Sequence, residues 1–531
     1  MAENKINRVV FVFPPFVRPF CMPVGISYIK SYAEKHLPDI KFKCLDLNSV
    51  FHDMIFEHYK NNNSAKDFVD AFNFFKNNRE INFDLKDAEK HSSVFLRVLN
   101  NVYSKYASFF SEMINGKRHL NNLMKRMCRI VLKQKPDVVG ISVNYDLQWH
   151  FSLVMGLILK QRGVKVVFGG NFFSTLSNKK FFPLSMDFAV IGEGENSFVE
   201  VIKSLNKNSS VDDVPGVMFW KNNSVIVNNP KPLENLDSIP FPDYSWFNPR
   251  EYFMPRPVLP ILTSRGCYWR KCAFCVHHKN FLGYRQRSVE NVIDELRFHL
   301  SCGLRYFNFV DEMISAQRFE QISDAVKKNN LNINFIGMAK PTKDFTYDIF
   351  KKMFDAGCRM MLWGVESGNQ RILDLIDKGT KVEDMKKVLE DCSRAGIKNH
   401  VFLIFGFPTE TYDELLDTLK FVKSNKDVLD CVNKGPFALQ AGSEVFANPA
   451  KFGITNIHNK NKVLNRYKYD VRSGLSFDEK ENFAVKFADF CESFNALPVY
   501  MGSCREHALI VYSEKLEEFN KFKRNVHFLP K

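Results

Sequence analysis

The sequence predicts an α/β protein built on two parallel sheets in succession. Three observations predict it. Short apolar runs alternate with amphipathic helical stretches, the pattern of a parallel sheet covered on both faces. The alternation breaks once, over about residues 206–255, at a hairpin-like stretch followed by one rich in Pro and aromatics. It then resumes as six βα units in roughly 190 residues, short of the eight of a closed barrel.

Residues 1–205 form the first domain. "RVVFVFPPF" is a buried strand ending at Pro14-Pro15. "PVGISYIKSYAEKH" has helical spacing through Ile26, Ile29, Tyr32 and Ala33, and "IKFKCLDLN" is a second strand. A polar and aromatic stretch from about 50 to 133 reads as inserted helices. "PDVVGISV" is a strand, and "WHFSLVMGLILKQRG" a helix closed by Gly163. "VKVVFGG" is a strand, and "MDFAVIGEGEN" a strand entering a helix. Ligands of such sheets bind beyond the carboxyl ends of the strands. Ser142, Asn144, Gly169, Gly170, Asn171, Gly192 and Glu193 stand there. Each of these glycines can equally do no more than make a tight turn.

In the bridge, "GVMFWKNNSVIVNN" reads as a hairpin around Asn222-Asn223, and "DSIPFPDYSWFNPREYF" as an irregular linker. The second domain spans 256–440. Strands are predicted at "PVLPILTS", "RYFNFV", "INFIGM", "RMMLWGV", "HVFLIF" and near "DCVNKGPFALQ". Helices fall between them at about 288–301, 316–329, 343–356, 369–376, 381–395 and 411–424. Chemistry in such a sheet sits at the C-terminal mouths of its strands. Residues 441–531 form a small α/β extension, with an amphipathic helix at "SFDEKENFAVKFADFCESFNA" and a strand at "HALIVYS". It is placed to close the barrel mouth or to bind a partner.

Composition excludes several classes. At 531 residues and 45% hydrophobic, the chain can bury sizeable cores. Net charge is +15, from 74 basic and 59 acidic side chains, but the lysines are dispersed with no long run. No added basic or OB-like tail is present, so neither a nucleic-acid partner nor an RNA-modifying role is expected. No stretch reaches about 18 uncharged apolar residues, so no membrane span is expected. "MAENKINRVV" lacks the apolar core of a secretory signal, which predicts a cytoplasmic chain with reduced thiols. The scattered Cys21, Cys44, Cys128, Cys302, Cys358, Cys392, Cys431, Cys491 and Cys504 then read as packed or inert thiols.

"SRGCYWRKCAFC" is different. It sets Cys267, Cys272 and Cys275 on one loop, just after the first strand of the second domain. Zinc wants four closed ligands, and His277 and His278 follow too closely for a finger. A redox pair of the C-x-x-C kind would leave Cys267 unexplained. Clustered thiolates also suit an iron–sulfur cluster, with one iron left open for a ligand. The spacing favours the cluster and leaves zinc as the competitor. Arg265, Arg270 and Lys271 are then the cations that offset thiolate charge.

This loop resembles that of the radical S-adenosylmethionine (SAM) superfamily, whose usual spacing is C-x3-C-x2-C; here the first gap is one residue longer. "FCVHHKNFLGYRQRSVENVIDEL", "FNFVDEMI", "GVESGNQRILDLIDKGT" and "FLIFGFPTET" resemble further segments of that family, in order, over about 255–440. The resemblance implies a partial (β/α)6 barrel of TIM type. It implies that Cys267, Cys272 and Cys275 hold a [4Fe–4S] cluster as metal ligands, and that SAM is cleaved to a 5′-deoxyadenosyl radical. It places Phe274 beside the cluster and adenine, Asp311 and Glu312 near the methionine amino group, and Glu366 and Ser367 near ribose or methionine. It runs Ile404, Gly406 and Pro408 past the adenine edge. The polar ends Asp311-Glu312 and Glu366-Ser367 can alternatively cap the helices that follow them, and Gly406 and Pro408 can simply shape a turn.

The first domain resembles the Rossmann-like (flavodoxin-like) cobalamin-binding domain often fused ahead of such barrels, through "FPPF…PVGISYI", "DVVGISV", "FGGN" and "VIGEGE". The D-x-H-x-x-G loop that supplies a histidine ligand is absent, so binding without one is implied, cradled by Ser142, Asn144, Gly169, Gly170 and Asn171. The combined resemblance implies a cobalamin-dependent methyltransferase acting on an unactivated carbon of a small molecule or peptide, driven by a reductant such as flavodoxin or ferredoxin. Radical rearrangement, cyclisation, oxidation or maturation of a ribosomal peptide are alternatives within the class. A corrin-binding sensor with a structural metal is the alternative outside it.

Overall fold

The computed structural model describes residues 5–20, 22–61, 65–77, 85–114, 122–174, 176, 182–277, 281–459, 466–476, 478–480, 482–483 and 505–520. The chain divides into two compact units. One comprises Met1–Lys76, Val94–Phe253 and Lys279–Gly283; the other comprises Asn77–Ser93, Met254–His278 and Tyr284–Lys531.

The first unit is built on β1 (Arg8–Phe13), α1 (Val24–His36), β2 (Lys41–Asp46), α2 (Leu47–Tyr59), α3 (Lys66–Asn77), α4 (Leu85–Ile114, counted in this unit from Val94 on), α5 (Asn122–Leu132), β3 (Val138–Ser142), α6 (Asp146–Gln161), β4 (Lys165–Gly169), α7 (Asn171–Ser174), β5 (Phe188–Val190), α8 (Gly194–Asn206), β6 (Val217–Lys221) and β7 (Ser224–Val227). Strand order is β2-β1-β3-β4-β5-β6-β7, parallel through β5. The order reverses between β1 and β3, where a doubly wound sheet opens its ligand crevice. Val9, Val10 and Val12 of β1 are fully buried, as a central parallel strand requires. Among the described residues, the stretch from 50 to 133 is mainly helical, as expected. The high Phe content has its use here: Phe72 meets Phe253 at 4.8 Å and Phe56 at 4.5 Å, and Phe68, Phe75 and Phe95 join the same cluster. The hairpin assigned to the bridge forms as expected. Its turn residues Asn222 and Asn223 have φ of 48° and 60°, the left-handed pair of a tight two-residue turn. β6 also pairs antiparallel with β5, so the hairpin continues the first sheet.

The second unit holds β8 (Val258–Ile261), β9 (Ser264–Arg265), β10 (Arg285–Gln286), α9 (Val289–Ser301), β11 (Tyr306–Phe309), α10 (Ala316–Lys328), β12 (Asn334–Ala339), α11 (Tyr347–Asp355), β13 (Cys358–Glu366), α12 (Gln370–Leu375), α13 (Val382–Arg394), β14 (Lys398–Phe405), α14 (Tyr412–Ser424) and β15 (Cys431–Pro436). Six parallel strands run β15-β14-β13-β12-β11-β8, each beside its predecessor among them. This is the expected six-unit partial barrel. Alternation along each strand sends Trp363 outward, against Phe345 at 5.1 Å and Phe350 at 6.0 Å on the helical side.

The extension contributes β16 (Leu439–Gln440), α15 (Glu444–Ala447), β17 (Ile454–Ile457), β18 (Arg466–Tyr467), β19 (Tyr469–Val471) and α16 (Arg505–Glu514). One expectation is corrected: "HALIVYS" lies in α16 and is not a strand. A short apolar run cannot distinguish a strand from a helix buried all round, and Ala508 through Tyr512 are all buried. The predicted amphipathic helix from 476 falls mainly outside the described residues. α16 lies against the inner face of the barrel sheet. Glu514 at its end accepts from the Tyr306 hydroxyl at the start of β11, and Arg505 at its beginning stacks on Phe402 well along β14. It therefore runs antiparallel to the strands, with its N-terminus toward their C-terminal mouths.

Candidate active site

The cysteine loop follows β8 and is held at both ends. At its start, the Asp311 carboxylate accepts from the Thr263 amide at 3.0 and 3.1 Å, the Thr263 hydroxyl at 2.9 Å and the Ser264 hydroxyl at 2.5 Å. Burial pushes the Asp311 carboxyl upward, and these donors oppose it. At its far end, the Ala273 amide donates to the Ile376 carbonyl at 2.8 Å, and Trp269 Nε1 donates to the Asp377 carbonyl at 2.7 Å. Arg270 takes a left-handed φ of 56° as the loop turns over. Cys267 is buried; Cys272 and Cys275 are half-buried.

Two buried lysines stand beside these thiols. Lys378 Nζ is 2.7 Å from Glu366 Oε1, with side-chain exposures of 4% and 10%. Burial works against the Lys378 ammonium, but Glu366 and then Cys272 outweigh it and hold its pKa above the usual value. Lys340 Nζ sits 3.1 Å from the centroid of the Trp269 ring and donates to the Lys378 carbonyl at 3.3 Å. Burial lowers its pKa to about 8, against the pull of Cys272. Burial likewise raises the Cys272 thiol, and raises Cys275 to about 12. Thiols in this setting ionise only when a bound cation compensates them.

That donor set fits an iron–sulfur cluster: three thiols on one loop with buried ammonium groups alongside. Zinc fits less well. His277 is turned to Glu312, Nδ1 to Oε2 at 2.8 Å, and His278 lies outside the described residues. Among the described residues no three His, Cys, Asp or Glu side chains are grouped to hold a single metal ion. Of the cations expected to offset the thiolates, Arg265 is buried at the loop start while Arg270 and Lys271 are exposed; Lys340 and Lys378 add two buried ammonium groups from the loops after β12 and α12.

The other expected contacts are placed as follows. Phe274 is half-buried on the loop, beside the cysteines. Asp311 and Glu312 are committed to the loop start and to His277, so neither carboxylate stands open at the mouth. Glu366 is at the mouth of β13 with a left-handed φ of 65°, held there by Lys378. Ser367 is fully buried; its hydroxyl meets that of Thr418 at 3.1 Å and accepts from the Asn369 amide at 3.1 Å. Ile404 is half-exposed on the inner face, while Gly406 and Pro408 are buried in the turn after β14. Glu410 shapes that turn by accepting from the amides of Gly406 and Phe407. Burial raises its pKa to about 7. The extension covers the same turn: the Lys480 stem lies on Gly406, and its Nζ donates to the Phe437 carbonyl at 2.9 Å. Sequence reasoning missed Trp269, Lys340, Lys378, Glu410 and Lys480. Trp269, Lys378 and Glu410 lie inside the segments "SRGCYWRKCAFC", "GVESGNQRILDLIDKGT" and "FLIFGFPTET" singled out above, whereas Lys340 and Lys480 carried no signal.

In the first unit, Ser142, Asn144, Gly169, Gly170 and Asn171 come together at the ends of β3 and β4. Asn144 Oδ1 accepts from the Asn171 amide at 3.1 Å, and its Nδ2 donates to the Ser142 hydroxyl at 3.3 Å. Gly170 has φ of 100°, and a Cβ there would lie 2.3 Å from the Val143 carbonyl oxygen. A Cβ at Gly169 would meet nothing within 4 Å, so the edge is open to a ligand. This open, polar edge with close-approach glycine fits a flat macrocycle bound without a protein ligand to its metal. Gly192 and Glu193 lie after β5. The Gly192 amide donates to Ser174 Oγ at 3.0 Å, and the buried Glu193 carboxylate accepts from the Leu233 amide at 3.1 Å.

Residues 261–422 match the radical SAM superfamily. An uncharacterized methyltransferase of Pyrococcus horikoshii is 30% identical over 307 residues, 56% of this chain and 66% of that protein. The chain spans between 48% and 66% of the length of its first curated relatives. The fold is shared with the cobalamin-dependent SAM radical enzyme OxsB, with TM-score 0.67, 18% identity and coverage of 99% of this chain and 72% of that one. It is shared also with the radical SAM methyltransferase TsrM of Kitasatospora setae, with TM-score 0.60, 15% identity and coverage of 98% and 99%.

Proposed function

The chain belongs to the radical SAM superfamily through residues 261–422, and from that premise we propose that it is a cobalamin-dependent radical SAM methyltransferase acting on an unactivated carbon. One observation carries the reading: a three-cysteine loop clamped at both ends, with the buried Lys340 and Lys378 beside its thiols. OxsB is described as cobalamin-dependent and the Pyrococcus horikoshii relative as a methyltransferase, which supports the same reading. Cys267, Cys272 and Cys275 would hold a [4Fe–4S] cluster, and the edge around Ser142, Asn144 and Gly170 would hold cobalamin. Between them, the cluster, SAM and cobalamin supply an electron, a carbon radical able to abstract hydrogen, and a methyl group.

The chain's own residues do the positioning. Asp311 and Trp269 fix the two ends of the cysteine loop. Lys340 and Lys378 offset thiolate charge in a low-dielectric site, where each unit of charge counts for more than in water. Glu366, held by Lys378, and the half-exposed Phe274 and Ile404 would line the SAM site. Glu410 and Lys480 fix the turn that Gly406 and Pro408 contribute to it. The domain assignment proposed with this function is a cobalamin unit within 1–205, a barrel at 256–440 and an extension at 441–531. A flavodoxin- or ferredoxin-like reductant would deliver the electron, and the substrate would be a small molecule or peptide. No helix among the described residues is long and apolar enough to cross a membrane.

Anaerobic reconstitution tests the reading. The wild type should take up about four irons per chain, cleave SAM to 5′-deoxyadenosine under reduction and retain corrin, whereas Cys272→Ala should lose the cluster and the cleavage together. Stoichiometric zinc with no SAM cleavage in the wild type would sink it.

A further inference from the structure

In the first unit, one buried side chain joins two of the loops at the carboxyl edge of the sheet. Gln148 is the third residue of α6 and is fully buried. Its Oε1 accepts from the amides of Asn144 at 2.9 Å and Tyr145 at 3.2 Å, in the loop after β3. Its Nε2 donates to the Pro14 carbonyl at 2.8 Å, in the loop after β1. β1 and β3 are the neighbouring strands between which the sheet order reverses. The side-chain amide can face only one way, because two donors meet its oxygen and an acceptor meets its nitrogen. Asn144 carries the tie one strand further. Its Oδ1 accepts from the Asn171 amide at 3.1 Å, after β4, and a Cβ at Gly170 would lie 2.8 Å from the same oxygen.

The Pro14 end of this tie is held firmly. Pro14 and Pro15 have fixed φ and no amide N–H of their own. Phe16 follows with φ of 81°, a left-handed backbone that a bulky side chain adopts only where its surroundings over-determine it. Here Asn48 Oδ1 accepts from the Val17 amide at 3.0 Å, and the Tyr103 hydroxyl donates to the Val17 carbonyl at 3.0 Å. The Phe16 ring meets Phe51 at 4.9 Å and Phe151 at 5.8 Å. Asn48 and Phe51 lie on α2, Tyr103 on α4 and Phe151 on α6, so the inserted helix α4 is part of the brace.

We propose that Gln148 is a positioning residue for the edge at the ends of β3 and β4: it fixes Asn144 against the braced loop after β1, and so sets the affinity of that edge for corrin. The inference rests on the proposed function only for the identity of the ligand. Capping α6 does not require the whole arrangement. A capping box asks of Gln148 only that it accept the Tyr145 amide. The Asn144 amide and the Pro14 carbonyl are partners beyond that need. Without this side chain the loop after β3 loses its tie to the loop after β1. Asn144 and Asn171 can then shift together from the place where a flat macrocycle meets them.

The test titrates the anaerobic full chain with hydroxocobalamin, read by visible absorption, at pH 6 and at pH 8. Wild type, Gln148→Leu and Gln148→Glu are compared, and far-UV dichroism checks that each is folded. Hydrogen exchange of the corrin-free chains over 142–145 and 169–172 is read in parallel. Gln148→Leu should weaken corrin binding by about tenfold or more and speed exchange at the Asn144 and Tyr145 amides. Gln148→Glu has nearly the same shape. As a carboxylate it accepts both amides, so it still caps α6, but it has no proton for the Pro14 carbonyl. Burial raises the pKa of such a carboxyl, so at pH 6 it carries a proton and can donate again. Gln148→Glu should therefore bind corrin weakly at pH 8 and regain most of the affinity at pH 6, with wild type as the control for every other titrating group. Wild-type affinity in both variants would overturn the proposal. So would a Gln148→Glu chain as weak as Gln148→Leu at both pH values, which would leave Gln148 with packing alone. A wild type that binds no corrin fails the cobalamin reading instead. The exchange arm then decides, and unchanged exchange in Gln148→Leu would overturn the positioning role.

Discussion

At the scale of single residues, the buried pair Lys378–Glu366 is the most exposed to test. Both groups are taken from water, and each is tolerable only because the other is present. Lys378→Met should strand the Glu366 carboxylate and cost about 3–5 kcal/mol in thermal or denaturant unfolding. The double variant Lys378→Met with Glu366→Gln should recover much of that loss. A single variant as stable as wild type would show that the pair carries no such penalty. Glu410 gives a pH signature. Its folded pKa of about 7 lies above the ordinary 4.5, so the folded chain holds a proton that the unfolded chain releases. Its contribution is therefore present below about pH 4.5 and is lost as pH rises toward 7. Arg371 opposes the shift and Glu414 adds to it, and both belong to the same turn region. Glu410→Gln keeps an acceptor for the Gly406 and Phe407 amides but cannot titrate. The fall in melting temperature between pH 5 and pH 8 should be smaller in this variant than in wild type; an unchanged slope would remove Glu410 from the account.

At the scale of elements, most of the barrel was legible because each strand and helix declares itself by its own period. The six predicted helices of the second unit each appear within a few residues, and the cysteine loop was legible because three thiols within nine residues have few other uses. The support of that loop was not legible. Trp269, Lys340 and Gly379 meet from three loops over a hundred residues of sequence, and no local pattern encodes the encounter. Likewise α16 reads locally as a strand, and only burial on every side makes it a helix. Gly379 tests the junction. It has φ of 66°, and a Cβ there would come 2.1 Å from the Trp269 ring. Gly379→Ala should therefore push Trp269 off its seat at a cost of about 1–3 kcal/mol. The expected readouts are a changed tryptophan emission and a lower iron content per chain after reconstitution. Full iron loading with native emission would show that the Trp269 clamp does not hold the loop.

At the scale of the whole molecule, the chain carries two sheets, one in each compact unit, the first parallel through β5 and the second parallel throughout. Parallel sheets are buried on both faces, so their strand ends are where polar groups can face a ligand without cost to the core. The sequence made both edges visible, since polar and glycine residues follow the apolar runs in each half. It did not separate the residues gathered at the ends of β3 and β4 from those after β5, because Gly192 and Glu193 occupy the same kind of position as Asn144 and Gly170. The two units yield a prediction that neither a residue nor an element can make alone. At Gly170 a side chain must both adopt φ of 100° and avoid the Val143 carbonyl oxygen at 2.3 Å. Gly170→Val should thus deform the turn after β4 and lower the corrin retained per chain by about tenfold, the effect of roughly 1.4 kcal/mol. The cysteine loop belongs to the other unit, with its own sheet and core. Iron content and the visible absorption of the cluster should then match wild type. Loss of iron together with corrin would mean that the two units depend on each other for folding. Loss of neither would move the corrin site away from the β3–β4 edge.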